Sequence, residues 1–185
     1  MIAHSNYISP TDYLAFEENN PIKHEYRWGS IYAMAGASNN HVLISVNLST
    51  LLRNHLRGKG CRTYVSDTKV HIESLNTYYY PDVVVSCDEK DRAFSNFIRY
   101  PCLIIEVLSD STEAFDRGDK FADYRQLESL QEYVTVSQTR KRVESFRKNS
   151  EGYWVLYSYA DGDTVSLGTL GFQCTIADIY EDVEL

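Results

Sequence analysis

Two stretches decide how this chain folds: Tyr78-Tyr79-Tyr80-Pro81-Asp82-Val83-Val84-Val85-Ser86 and Pro101-Cys102-Leu103-Ile104-Ile105-Glu106-Val107-Leu108. The second is a continuous apolar run of strand length, the pattern of a strand covered on both faces. The first is rich in aromatic and β-branched residues, which suit a pleated surface, and its proline places it at a sheet edge or a strand start. Each run holds one acidic residue. A buried carboxylate is costly unless a cation, a partner or a cleft receives it. Glu106 therefore reads either as half of a structural ion pair or solvent-facing strand end, or as a site residue. Asp82 alone reads more readily as a turn or strand-start aspartate. As a pair they can converge at one edge of a sheet, and magnesium or manganese takes such a set, a few carboxylates completed by water and substrate phosphate.

The next segment supplies a third element. Thr112 to about Leu127 has a helical pattern, and Asp116, Lys120 and Tyr124 are spaced four apart, so they share one face. The plain alternative is an Asp–Lys pair on a solvated helix face, worth roughly 0.2–0.5 kcal/mol.

Working outward, Ser9-Pro10 opens a short helix, and HEYRWGSIYAMA reads as a hairpin turning near Trp28-Gly29-Ser30. A longer helix starts at Asn39 or Asn40, presents Ile44, Leu48, Leu51 and Leu52 as a stripe, and stops near Gly58. TYVSDTKVHIE reads as one strand; QEYVTVSQ, RVESFRK and YWVLYSYA follow, then a turn at ADGD, a last strand and a helical turn. That order predicts a mixed β-sheet flanked by helices, in the α/β or α+β class. No repeat or linker interrupts it, so residues 1–185 are expected to form a single domain.

The net charge of −8 argues against a protein that coats nucleic acid, because such affinity comes from lysine and arginine displacing counterions. It does not argue against an enzyme that holds a cation over an acidic centre. Cys61, Cys87, Cys102 and Cys174 are scattered without a CxxC pair, which speaks against structural zinc. The opening MIAHSNYISP lacks the pattern of an export signal, and no apolar stretch approaches membrane-spanning length. A reduced, cytoplasmic protein without membrane association is expected. The five histidines show no HxxxH spacing and there is no GxSxG elbow, which leaves a small-molecule hydrolase without support.

The PD of YYYPDVVVS, the ExxS of PCLIIEVLSDST and the D…K…Y of the following helix resemble a large family of restriction-endonuclease-like proteins, once a domain of unknown function, within the PD-(D/E)xK nuclease superfamily. HEYRWGSIYAMAG resembles its early acidic hairpin, His41 its histidine at a helix start, and LQEYVTV its strand after the helix. The resemblance runs from about residue 9 to the end. It implies a restriction-endonuclease-like fold and a Mg2+- or Mn2+-dependent endonuclease acting on nucleic acid, DNA first. A homodimer is expected from the tyrosine surplus and the many short strands, and the resemblance points the same way. Asp82 and Glu106 would be the metal-binding carboxylates and Lys120 the third catalytic residue. The lysine departs from the wider superfamily, whose pattern puts it two residues after the second carboxylate, where this chain has Leu108. Asp116 and Tyr124 would support the lysine's helix face. Glu25 and His41 would lie near the cleft, each with a structural reading at least as good. Two rivals stay open: a non-catalytic binding or assembly module on the same fold, and an enzyme of that fold acting on RNA or another nucleotide-containing substrate.

Overall fold

The structure, a computed structural model, describes residues 7–185. The expectation that no export signal is present falls largely on residues 1–6, outside the described residues. Helix α1 (Pro10–Glu18) begins where the Ser9 hydroxyl accepts the Asp12 N–H, with Pro10 in the first turn where no amide is needed. Strands β1 (His24–Arg27) and β2 (Ser30–Ala33) form the expected hairpin. Its two turn residues, Trp28 and Gly29, have φ of 52° and 89°, the geometry that matches strand twist. Helix α2 (Asn39–His55) is capped by Ser38 and buries Ile44, Leu48 and Leu52. Then follow β3 (Arg62–Val65), β4 (Lys69–Ile72), β5 (Thr77–Tyr79), β6 (Val83–Ser86), β7 (Phe97–Ile98) and β8 (Pro101–Leu108). The rest comprises α3 (Glu113–Arg117), α4 (Asp119–Tyr124), β9 (Glu132–Ser137), β10 (Arg142–Lys148), β11 (Trp154–Ala160), β12 (Thr164–Leu167), β13 (Phe172–Thr175) and α5 (Ile176–Ile179).

The principal sheet has the order β11-β10-β9-β8-β6-β3, and a second has the order β2-β1-β5-β4-β7. β8 is antiparallel to β6 and parallel to β9. A parallel pair needs a crossover, and α3 with α4 provides it. Alternation along β6, β8 and β9 sorts their residues to two cores. Val83, Val85, Leu103, Ile105, Val107 and Val134 pack with α2 and the C-terminal elements. Val84, Ile104 and Tyr133 pack with Phe121 and Tyr124 of α4 and with Tyr79. The fold is thus a mixed α/β domain with helices against mixed sheets.

Four expectations need correction. TYVSDTKVHIE is two strands in two sheets, because the chain turns at Ser66 (φ 49°) between β3 and β4. YYYPDVVVS is likewise split. β5 ends at Tyr79, β6 starts at Val83, and Tyr80-Pro81-Asp82 carries the chain from one sheet to the other. Pro81 therefore marks a strand start, and β6 lies inside its sheet, not at an edge. The helix expected from Thr112 to Leu127 breaks at Gly118, whose φ/ψ of −107°/−103° is not helical. Finally, the chain is not fully reduced as expected, because Cys61 and Cys87 form a disulfide. The register pair Arg62↔Ser86 brings their Cα atoms to 4.0 Å, so scatter along the sequence did not mean scatter in space. Cys102 and Cys174 are free.

Candidate active site

The β6–β8 register places the two embedded carboxylates together. One step beyond the pair Val83↔Ile105, Asp82 stands opposite Glu106, on the face of Val84 and Ile104 that looks toward α4. The Val107 N–H donates to Asp82 Oδ2 at 2.7 Å, and His41 Nε2, from the first turn of α2, lies 3.2 Å from the same oxygen. Glu106 is 3% exposed. Its Oε1 accepts the Tyr124 hydroxyl at 3.1 Å and lies 3.1 Å from Lys120 Nζ. These bonds engage one oxygen of each carboxylate.

Lys120 is 6% exposed, which removes the reading of a solvated helix face. Its ammonium is 2.9 Å from Glu25 Oε1, 3.1 Å from Glu106 Oε1 and 3.5 Å from Asp116 Oδ1. Although Gly118 breaks the helix, Asp116 and Lys120 still meet across the break, because the Tyr133 hydroxyl donates to the Asp116 carbonyl and pins it. Glu25 comes from β1 in the other sheet and also accepts the Tyr80 N–H at 3.2 Å, at the crossover itself. All seven residues singled out in the sequence therefore gather at one end of β8: Asp82, Glu106, Lys120, Glu25, His41, Asp116 and Tyr124.

The electrostatics follow from burial. Desolvation pushes the Glu106 carboxyl well up despite Lys120, and Asp116, Asp82 and Glu25 push the same way. Asp116 is raised for the same first reason. Burial opposes charge on Lys120, but Glu106, Glu25 and Asp116 outweigh it and hold the ammonium protonated well beyond its ordinary range. His41 is similar: burial lowers its pKa, while Asp82 and Asp116 raise it to a net upward shift. Four carboxylates thus face one ammonium and one imidazole. Fully ionised, the cluster carries an excess of two negative charges, which protons or a divalent cation can balance.

The donor set can be weighed against a metal. Among the described residues, no three His, Cys, Asp or Glu side chains form a ready cage. Magnesium and manganese do not require one, since they keep several waters and take one or two carboxylates. Thr135, the register partner of Glu106, adds a buried Oγ1 without a hydrogen-bond partner among the described residues. Asp82, Glu106 and this hydroxyl form an all-oxygen set that fits a hard cation.

Sequence reasoning missed Thr135, and it missed the brace behind Lys120. Arg27 Nε donates to Asp123 Oδ2 at 2.8 Å, and the Tyr79 hydroxyl donates to the same oxygen at 2.6 Å. The available signal was modest: Arg27 follows Glu25 by two on a strand, and Asp123 follows Lys120 by three on a helix.

Comparison with known proteins assigns the chain to a family. Residues 10–177 match the model of the Uma2 family, described as "Putative restriction endonuclease". The chain belongs to the Uma2 family. Two uncharacterized proteins of Synechocystis sp. (strain ATCC 27184 / PCC 6803 / Kazusa) are relatives. One is 46% identical over 185 residues, covering 97% of each chain. The other is 35% identical over 158 residues, covering 84% of this chain and 89% of the relative. The Uma2 chain also resembles the crystal structure of a "putative nuclease belonging to DUF820" from Anabaena variabilis, with a TM-score of 0.76 and 14% identity over 94% of this chain and 97% of that one. At that identity the likeness speaks for a shared fold, which is restriction-endonuclease-like.

Proposed function

We propose that this Uma2 protein is a Mg2+- or Mn2+-dependent endonuclease that hydrolyses phosphodiester bonds of nucleic acid, DNA first, with Asp82, Glu106 and Lys120 as its catalytic residues. One observation carries the reading: a buried lysine ammonium held between Glu106 and Glu25, beside a cross-strand pair of carboxylates. Asp82 and Glu106 would hold the cation, which when bound supplies an acidified water and neutralises charge developing on phosphorus. The chain's own groups do the rest. The Val107 N–H and His41 fix the Asp82 carboxylate, Tyr124 fixes Glu106, and Glu25 with Asp116 keeps Lys120 protonated and aimed at the site. A fixed ammonium stabilises the phosphorane charge without reorganising, an effect commonly worth about 3 kcal/mol. A non-catalytic binding or assembly module draws on the net charge of −8. It leaves unexplained why an ammonium and two embedded carboxylates sit together.

The deciding experiment incubates the purified protein with duplex DNA, single-stranded DNA and RNA, with and without manganese. Manganese-dependent cleavage is expected, abolished in Asp82→Asn and in Glu106→Gln. Manganese should also raise the melting temperature of the wild type and of neither variant. No cleavage by the wild type would leave the binding module standing.

The proposal extends to a homodimer. Among the described residues no helix is long and apolar enough to cross a membrane. Tyrosine is enriched at interfaces, and the edge strand β11 leaves Val155, Leu156 and Tyr157 exposed with no charged residue from Tyr153 to Ala160. Light scattering is expected to give twice the 21.3 kDa chain mass. A monomer mass at about 100 μM, well above the Kd of ordinary specific pairs, would remove the dimer.

A further inference from the structure

The hairpin β1–β2 offers the site more than Glu25. Side chains alternate faces along a strand, and Tyr26 with its register partner Ile31 faces the tyrosine core of Tyr13 and Tyr78. The opposite face carries Glu25 and Arg27, and both reach α4, at Lys120 and Asp123. Tyr32 is the register partner of Glu25, so its side chain leaves the sheet on that same face. Opposed residues have Cβ atoms only about 5 Å apart. Tyr32 is 56% exposed, so an aromatic ring reaches solvent beside Glu25, the hairpin's member of the acidic cluster.

A second ring stands at the hairpin tip. Trp28 is 60% exposed. The Arg27 guanidinium lies 4.0 Å from its ring centroid, and Arg27 is itself pinned by Asp123 and Asp119 at 2.8 and 3.2 Å. Trp28 adopts φ 52°, where such turns ordinarily take Asn, Asp or Gly. A bulky aromatic held in that conformation is the kind of outlier that marks a functional position. Trp28 directly follows Arg27, which is two residues along the strand from Glu25, the partner of Tyr32, so the two rings stand at successive places along the hairpin.

A chain with net charge −8 has little counterion release to draw on when it binds nucleic acid. Stacking of bases on aromatic rings needs no net charge, and every base has a face to offer once it is unpaired. In a duplex those faces are already occupied by neighbouring bases. We infer that Tyr32 and Trp28 form a stacking platform for unpaired bases beside the scissile phosphate, and that the substrate is single-stranded nucleic acid. This rests on the nuclease reading of the cluster.

The test measures binding by the full chain in EDTA, where hydrolysis is silent, using 2-aminopurine-labelled DNA and RNA oligonucleotides of about 12 nucleotides, single-stranded or annealed. At least one single strand is expected to bind about tenfold or more tighter than its duplex, with fluorescence quenched by stacking. Tyr32→Ala and Trp28→Asn should each weaken single-strand binding roughly 5- to 100-fold and leave duplex binding unchanged. Tyr32→Phe should stay within about twofold, since the ring remains. Trp28→Asn installs a residue suited to φ > 0, so its melting temperature should not fall and misfolding cannot explain the loss. Equal affinity for duplex and single strand, wild-type affinity in both ring variants, or no binding to either single strand would each overturn the platform. Ring-dependent binding without manganese-dependent cleavage would overturn the nuclease reading alone. Cleavage indifferent to both rings would overturn the platform alone.

Discussion

At the scale of single residues, Lys120 is where sequence and structure diverge most usefully. Its spacing from Asp116 and Tyr124 was legible, and so was a shared helix face. Its burial was not, because a period of four says which residues align and nothing about what covers them. What covers Lys120 is Glu25, from a strand 95 positions earlier, and no local pattern announces a contact of that range. The consequence can be measured. Lys120→Met removes the ammonium and leaves Glu106, Glu25 and Asp116 facing one another in a poorly solvated space. Truncating one partner of a buried charge pair costs about 3–5 kcal/mol, so thermal melts in EDTA should drop by at least about 6 °C for a chain of this length. Manganese should recover part of the loss. A lysine on a solvated face would instead cost under about 1 kcal/mol, and a drop that small would remove the buried cluster as a source of stability.

At the scale of elements, the strands that carry the acidic residues were readable because each is a short apolar run, and the hairpin and the first two helices were readable from Ser9-Pro10, Trp28-Gly29 and the apolar stripe that follows Asn40. The breaks were not. Tyr80-Pro81-Asp82 passes between two sheets, and a strand pattern continues on both sides of it, so the alternation runs on while the hydrogen bonding changes partner. Gly118 was similarly hidden, since a glycine within a helical pattern is often tolerated. Here it has a specific task. A Cβ at Gly118 would meet the Ala114 carbonyl oxygen at 2.9 Å, a backbone atom that cannot swing aside. The break lets α4 change direction after α3, which keeps Lys120 under Glu25 and Glu106 while Asp116 stays within reach. Gly118→Ala is therefore expected to destabilise the fold by about 1–3 kcal/mol, the usual cost of overpacking. It should also lower any cleavage activity more than stability alone explains, because α4 carries Lys120. Equal melting temperature and activity in wild type and variant would show that the break is incidental.

At the scale of the whole molecule, the acidic surplus is not spread evenly over the surface, because part of it is concentrated in one buried cluster. That concentration predicts how metal-free stability depends on pH. Glu106 and Asp116 are carboxyls raised by burial, so the stability they permit is present below their unfolded pKa and lost as pH rises through the folded value. His41, raised by Asp82 and Asp116 against burial, contributes in the same direction. His71 opposes them. Burial lowers it to about 4, so it costs stability as pH falls below about 6.5, and its effect is over above neutrality. Cys102 and Cys174, raised by burial to about 11 and about 12, begin to cost stability only above about pH 8, as the unfolded thiols start to ionise. The window between about pH 7 and 8 therefore isolates the cluster. In EDTA the melting temperature should fall as pH rises through it, because the raised groups lose their protons. Glu106→Gln should flatten the slope, since an amide has no proton to lose. Saturating manganese should flatten or reverse it, because the cation takes over the charge that protons balance and binds best to ionised carboxylates. A structural ion pair with no cation function predicts a slope in EDTA that manganese leaves unchanged, so the melts with and without metal separate the two accounts without any assay of cleavage.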